Sequence, residues 1–183
     1  MLLYHFSEEP DIQTFVPRRA EQVDASYEVV WAIDEQHAVN YFFPRECPRI
    51  IYRKSETMSD EDRVRFFSDT TADTVIVTEN AWWDRMNETV LYRYAFKAAN
   101  FELYDEIAGY YIAKTTVEPI DVEPVGNLVK QIMKQGVELR FTPSLVPLRE
   151  KILNSTIDDF SMIRLRNAKG MPEAAASPTS GNN

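Results

Sequence analysis

Residues 89–97, TVLYRYAFK, alternate as a sheet strand does, with Val90, Tyr92, Tyr94 and Phe96 at every second position on one face. Extended stretches lie on both sides of it. LLYHF at 2–6 reads as a short strand closed by Ser7, Glu8, Glu9 and Pro10, and YEVVWAI at 27–33 is rich in the β-branched and aromatic residues that suit a pleated surface. Ile50–Tyr52, TVIVTE at 74–79, FELYDEI at 101–107 and VELRF at 137–141 read the same way. GYYIAKTTVEPIDVEP at 109–124 is extended but broken by Gly109, Pro119 and Pro124.

Helices are expected to be few and short. Asp34 is placed to cap a helix over 35–43 that Pro44 stops, and Ser59 to cap DEDRVRFF at 60–67. AWWDRMNE at 81–88 reads as a helix. NLVKQIMKQG at 127–136 places Leu128, Ile132 and Met133 on one stripe and ends at Gly136. Helical or loop segments with a basic lean fill 145–166. PRRAEQVDAS at 17–26 reads as a loop, and the small, polar GMPEAAASPTSGNN from Gly170 as a disordered tail. These elements predict an α+β fold, a single domain over 1–169 of mainly antiparallel strands with short flanking helices, and a tail over 170–183.

Composition narrows the chemistry by exclusion. The 183 residues carry a net charge of −9 and a sequence pI near 4.8, which disfavours bulk binding to nucleic acid because that affinity comes from Lys and Arg neutralising phosphates. No apolar run approaches the roughly 18 residues of a membrane span. The acidic opening MLLYHFSEEPD lacks the basic region of a signal peptide, so a soluble, cytoplasmic chain with no membrane partner is expected. Cys47 is the single cysteine, and no disulfide framework or Cys-rich metal site follows from one thiol. There is no HExxH, CxxC or calcium-loop pattern, so no metal ligand set is predicted. Neither GxGxxG, GxxxxGK nor GxSxG occurs, which excludes the conventional dinucleotide, P-loop and hydrolase motifs.

The residues left to carry chemistry are few. His5 shares a strand face with Leu3, and is either a hydrogen-bonded core histidine or open to a cleft. Asp34, His37 and Tyr41 would share one stripe of the predicted helix, as a polar pocket edge or as a cap with core packing. Arg18 and Arg19 form either an anion-clamping fork or a solvated pair. Arg45 and Arg49 flank Cys47 and would lower its thiol pKa, although a small turn residue between prolines fits equally. Glu102, Asp105, Glu106, Glu118 and Glu123 are the candidate carboxylates; each also reads as a solvated edge charge, and Glu106 lies beside the small pair Ala108 and Gly109. Arg164, Arg166 and Lys169 make a local basic patch.

The stretches LYHFSEEPDIQTFVPR, VWAIDEQHAVNYFFPRECPR, AGYYIAKTTVEP and STIDDFSMIRLRNA resemble an uncharacterised bacterial family of small soluble proteins, over most of 1–168. More distantly, the first strand with its histidine, then a strand and helix of the form D…HA…Y, then a run of antiparallel strands, looks like the ADP-ribosyltransferase fold. That resemblance implies an enzyme binding NAD in a cleft lined by His5 and Tyr41. His5 would hydrogen-bond a ribose, Tyr41 would stack on nicotinamide, and a glutamate would stabilise positive charge at the anomeric carbon; Arg18, as the anion-clamping loop arginine, is expected to help hold the cofactor. The sequence departs from the pattern at the glutamate, where EIAGYYIA places Gly109 and Tyr110; Glu106, earlier in the same stretch, is the provisional carboxylate. The alternative is a noncatalytic binding or protein-interaction domain on the same scaffold, with Trp82, Trp83, Tyr110 and Tyr111 as its aromatic surface. A nucleic-acid-modifying relative of the fold would rely on the Arg164–Lys169 patch.

Overall fold

β-Branched and aromatic runs do become strands, and their pairing sorts them into two sheets. The computed structural model describes residues 1–19 and 28–172. Its strands are β1 (Leu2–Ser7), β2 (Arg18–Arg19), β3 (Glu28–Ile33), β4 (Arg49–Arg53), β5 (Thr74–Glu79), β6 (Leu91–Lys97), β7 (Glu102–Asp105), β8 (Tyr110–Ala113), β9 (Asp121–Val125), β10 (Glu138–Thr142) and β11 (Phe160–Ile163). The α-helices are α1 (Asp60–Phe67), α2 (Trp83–Glu88), α3 (Leu128–Lys134) and α4 (Val146–Leu153). The fold is α+β with mainly antiparallel strands and short helices, as expected. The predicted loop over 17–26 and tail over 170–183 lie largely outside the described residues.

The chain forms two compact units, each drawn from two separate stretches: Met1–Arg45 with Glu88–Leu128, and Glu46–Asn87 with Val129 onward. In the first unit the strands run β7-β8-β3-β1-β6-β9, with β2 added on β3, and every pairing is antiparallel. Pro124 sits in β9, an edge strand, where a missing N–H costs no ladder bond on the open side. The pleat sends alternate residues to opposite faces. Tyr94, Phe96, Val30 and Ala113 pack with Phe15 and Val117 on one face, and Tyr4, Ile33 and Ala95 with Phe6, Tyr41 and Tyr110 on the other. Val90, expected to belong to the strand at 89–97, lies outside β6 and is exposed.

The second unit holds a sheet ordered β10-β5-β4-β11, in which β10 runs parallel to β5 and the other pairs are antiparallel. Its core joins Ile50, Tyr52, Val75 and Val77 of the sheet to Phe66, Phe67 and Ile152 of α1 and α4. Ser59 caps α1 by accepting from the Asp62 N–H, as its sequence position predicts. Asp62 is buried and accepts from the N–H and hydroxyl of Thr156, which holds its pKa below the usual carboxylate range. The three acidic residues opening α1 therefore serve a helix start.

One predicted helix takes another form. Residues 35–43 make a turn and then a 3-10 helix at Ala38–Tyr41 rather than an α-helix. The cause is local. Asp34 accepts from the His37 N–H while its own N–H donates to the Gly109 carbonyl, Val39 and Tyr41 are mediocre helix formers, and Pro44 leaves no N–H to extend the ladder. The described residues contain no helix long and apolar enough to cross a membrane.

Ile76 is fully buried in the central part of β5. Ile76→Ala is expected to lower unfolding stability by about 2–5 kcal/mol, read as a fall in the denaturant midpoint with an unchanged m-value. Ser59→Ala at the α1 cap should cost about 1 kcal/mol.

Candidate functional site

β1 is clamped on both sides, and this decides where each candidate side chain points. Opposite Cα partners in an antiparallel pair share a face. His5 lies opposite Tyr94 and Leu3 opposite Phe96, whereas Tyr4 lies opposite Ala95 and Ile33. His5 therefore belongs to the Phe15–Tyr94 face, and its ring packs edge-on against Phe15 with centroids 4.9 Å apart. The Tyr41 ring packs instead against Phe6 and Tyr110, on the opposite face. The expected cleft walled by His5 and Tyr41 together is not formed: the two-residue period of β1 sends His5 one way, and the 3-10 segment lies over the other side.

His5 itself has a defined chemistry. Its Nδ1 lies 2.9 Å from the Trp31 carbonyl, so Nδ1 carries the proton and Nε2 is the acceptor. Burial is the main influence lowering its pKa; the Trp31 carbonyl opposes this, and the nearby charges of Arg45 and Arg18 add to the lowering. The result is a neutral imidazole with two guanidinium groups in electrostatic reach. Arg18 is exposed on β2, opposite Val29 of β3, and the Arg45 N–H donates to the Glu8 carboxylate.

On the other face Asp34, His37, Gly109, Tyr41 and Tyr110 gather. Asp34 Oδ1 accepts from both the backbone N–H and Nδ1 of His37, each at 2.8 Å. Gly109 has φ +71°, and a Cβ placed there would come within 2.2 Å of His37 Nδ1 and 2.7 Å of Asp34 Oδ2. The Tyr41 hydroxyl donates to that of Tyr110 at 2.9 Å. Asp34 and His37 do meet, as their spacing predicts, while Tyr41 turns to Tyr110, a pairing across 69 positions that no local pattern signals. Glu106 is exposed in the turn between β7 and β8, so β8 and β3 separate it from β1 and it does not join His5.

The remaining candidates resolve as structural groups. Glu123 pairs with Arg93 at 2.6 Å, Glu102 with Lys114 at 2.8 Å, and Asp105 accepts from the Ala108 N–H. Glu118 lines an open groove of about 500 Å³ with Lys97, Asn100 and Thr116, and neither His5 nor Tyr41 reaches it. Cys47 is fully buried beside the Thr78 hydroxyl, and burial pushes its thiol up to about 11, outweighing Arg49; the expected lowering by arginine is overturned. Glu46 lies within 3.7 Å of Arg164 and 3.4 Å of Arg166, which offsets the basic patch. Trp83 is half exposed and packs on Phe141, and Trp82 stacks under Arg85. Tyr110 and Tyr111, adjacent in β8, face opposite ways.

Sequence reasoning passed over Glu79, a buried carboxylate that accepts from the N–H groups of Leu145 and Lys169. It ends a strand, and only the fold brings its partners to it.

Gly109→Ala forces a side chain into left-handed backbone and onto His37. It should destabilise the fold by at least about 1–2 kcal/mol and displace the His37 ring resonances, both readable by thermal unfolding and NMR; a variant with native His37 signals would contradict the close packing.

No curated protein and no solved structure matches the chain. A family model matches residues 4–168. The span takes in β1 from Tyr4, the Asp34–His37 turn, Gly109 and the arginines near His5, so these groups lie within the family's own domain. The chain belongs to DUF6886, a family of unknown function.

Proposed function

We propose that the first unit is a binding module for an anionic nucleotide of the NAD type, held on the His5 face, on a scaffold related to the ADP-ribosyltransferases. The observation that supports it is the neutral imidazole of His5, within electrostatic reach of Arg45 and Arg18. A ribose hydroxyl donates naturally to a fixed Nε2 acceptor, and a pyrophosphate suits guanidinium groups, which offer forked charge-assisted hydrogen bonds. His5 keeps the binding role that the resemblance assigns it, Arg18 acts on the ligand through its charge from the sheet edge, and Tyr41, on the opposite face, does not share that ligand.

Binding without transfer fits these groups better than catalysis. Cleavage of the nicotinamide–ribose bond builds positive charge on the sugar, and a fixed carboxylate close to that carbon lowers the barrier. Glu106 stands in the turn beyond β8 and has no fixing partner among the described residues. A cytoplasmic setting, where such nucleotides are abundant, belongs to the same proposal.

A ligand at a hundredfold excess over its Kd stabilises the native state by about 2.7 kcal/mol. NAD and ADP-ribose are therefore expected to raise the melting temperature. Arg18→Ala, an exposed change, should reduce the rise, and His5→Ala should abolish it. Absence of any rise with either nucleotide at millimolar concentration contradicts the proposal. Measurable release of nicotinamide, lost in Glu106→Gln, would replace the binding module with an enzyme.

A further inference from the structure

We propose that the groove between the end of β6 and residues 115–120 binds a small zwitterion of the amino-acid type, an ammonium and a carboxylate on an apolar body. The groove holds about 500 Å³, within the range of small-molecule sites. Lys97 and Asn100 reach it from β6 and the 3-10 turn that follows, and Thr115, Thr116, Glu118 and Ile120 from the segment after β8. Main-chain bonds fix both walls. Val117 exchanges two with Phe15, at 2.8 and 3.0 Å, and the Ile120 N–H donates to the Ala95 carbonyl at 2.8 Å. The Ala98 N–H, at the start of the 3-10 turn, donates to the Met1 carbonyl. Val117 is also buried against Phe15, so the segment is pinned at its middle and at its end. Walls held in this way need little ordering to accept a ligand.

Charge selects the ligand. Lys97 and Glu118 line the same groove, yet among the described residues neither forms an ion pair or a side-chain hydrogen bond, with the other or with any further group. Elsewhere in this unit such charges are paired, Arg93 with Glu123 and Lys114 with Glu102. An anion drawn by Lys97 meets the repulsion of Glu118, and a cation drawn by Glu118 meets that of Lys97. A molecule carrying both charges satisfies both walls. Asn100, Thr115 and Thr116 add neutral donors and acceptors, and their side chains also lack partners among the described residues. Ile120, 52% exposed, offers apolar surface to a hydrocarbon side chain. The groove shares no residue with the His5 face, and its occupant is independent of nucleotide binding there.

The test titrates the full isotope-labelled chain with L-leucine and with two analogues that each lack one charge: isocaproate, without the ammonium, and isoamylamine, without the carboxylate. L-Leucine should shift the amide resonances of Thr115, Thr116 and Ile120 saturably and leave the His5 ring resonances in place. Each analogue should bind roughly tenfold more weakly, as loss of a hydrogen bond to a charged group does. Lys97→Met and Glu118→Gln, at exposed positions that leave the fold intact, should weaken L-leucine binding roughly tenfold and roughly threefold. No saturable shift of these amides at about 10 mM L-leucine, a weak-binding limit, overturns the inference. So does either analogue binding as tightly as the amino acid, or binding that survives both substitutions undiminished. Failure of NAD to bind would leave this result standing.

Discussion

The pairing of β1 between β3 and β6 is the constraint on which the first unit depends. Held on both edges, β1 has no freedom to rotate, and each of its side chains is assigned a face by whether its number is odd or even. Leu3 and His5 go to the face of Phe15, Tyr94 and Phe96, and Tyr4 and Phe6 to the face that the Asp34–Tyr41 segment covers. A slip of one residue would exchange every contact at once. The fully buried Leu3, Tyr94 and Phe96 hold the register against that slip, because moving them to the other face would create cavities and overlaps together.

From this constraint two chemically different surfaces emerge on one sheet. The His5 face carries a neutral imidazole whose pKa the charges of Arg45 and Arg18 help to lower. The opposite face gathers an Asp34-bound imidazole and paired tyrosine hydroxyls, with the Arg93 guanidinium over the Tyr4 ring. Two histidines in a short chain thus occupy separate electrostatic settings, and each ring is oriented by a hydrogen bond at Nδ1. The chain's net acidity conceals this division, since a total charge carries no information about the side of a sheet on which charges lie.

Much of the fold was legible because local rules and tertiary packing agree. Ser59 before an acidic first turn marks α1 at its observed limits, and TVIVTE coincides with β5. The segment after Asp34 was misread because the capping interaction is real but the turn it starts is tethered to Gly109, 75 positions away, which favours a tighter 3-10 geometry. The interleaving of the units was not legible either: each is assembled from two separated stretches, so no Gly- or Pro-rich linker marks where one ends. The site was only partly readable. Spacing joins Asp34 to His37, but the Tyr41–Tyr110 contact and the place of Glu106 follow from strand order, and Cys47 was misjudged because adjacent arginines are visible in a sequence while complete burial is not.

The direct test of the two-faced sheet is an isotope-edited NOE experiment on the His5 and Tyr41 rings. Cross-peaks from the His5 ring to Phe15, and from the Tyr41 ring to Phe6 and Tyr110, with none between His5 and Tyr41, are the expected result. A His5–Tyr41 cross-peak would contradict the account, returning both rings to one cleft.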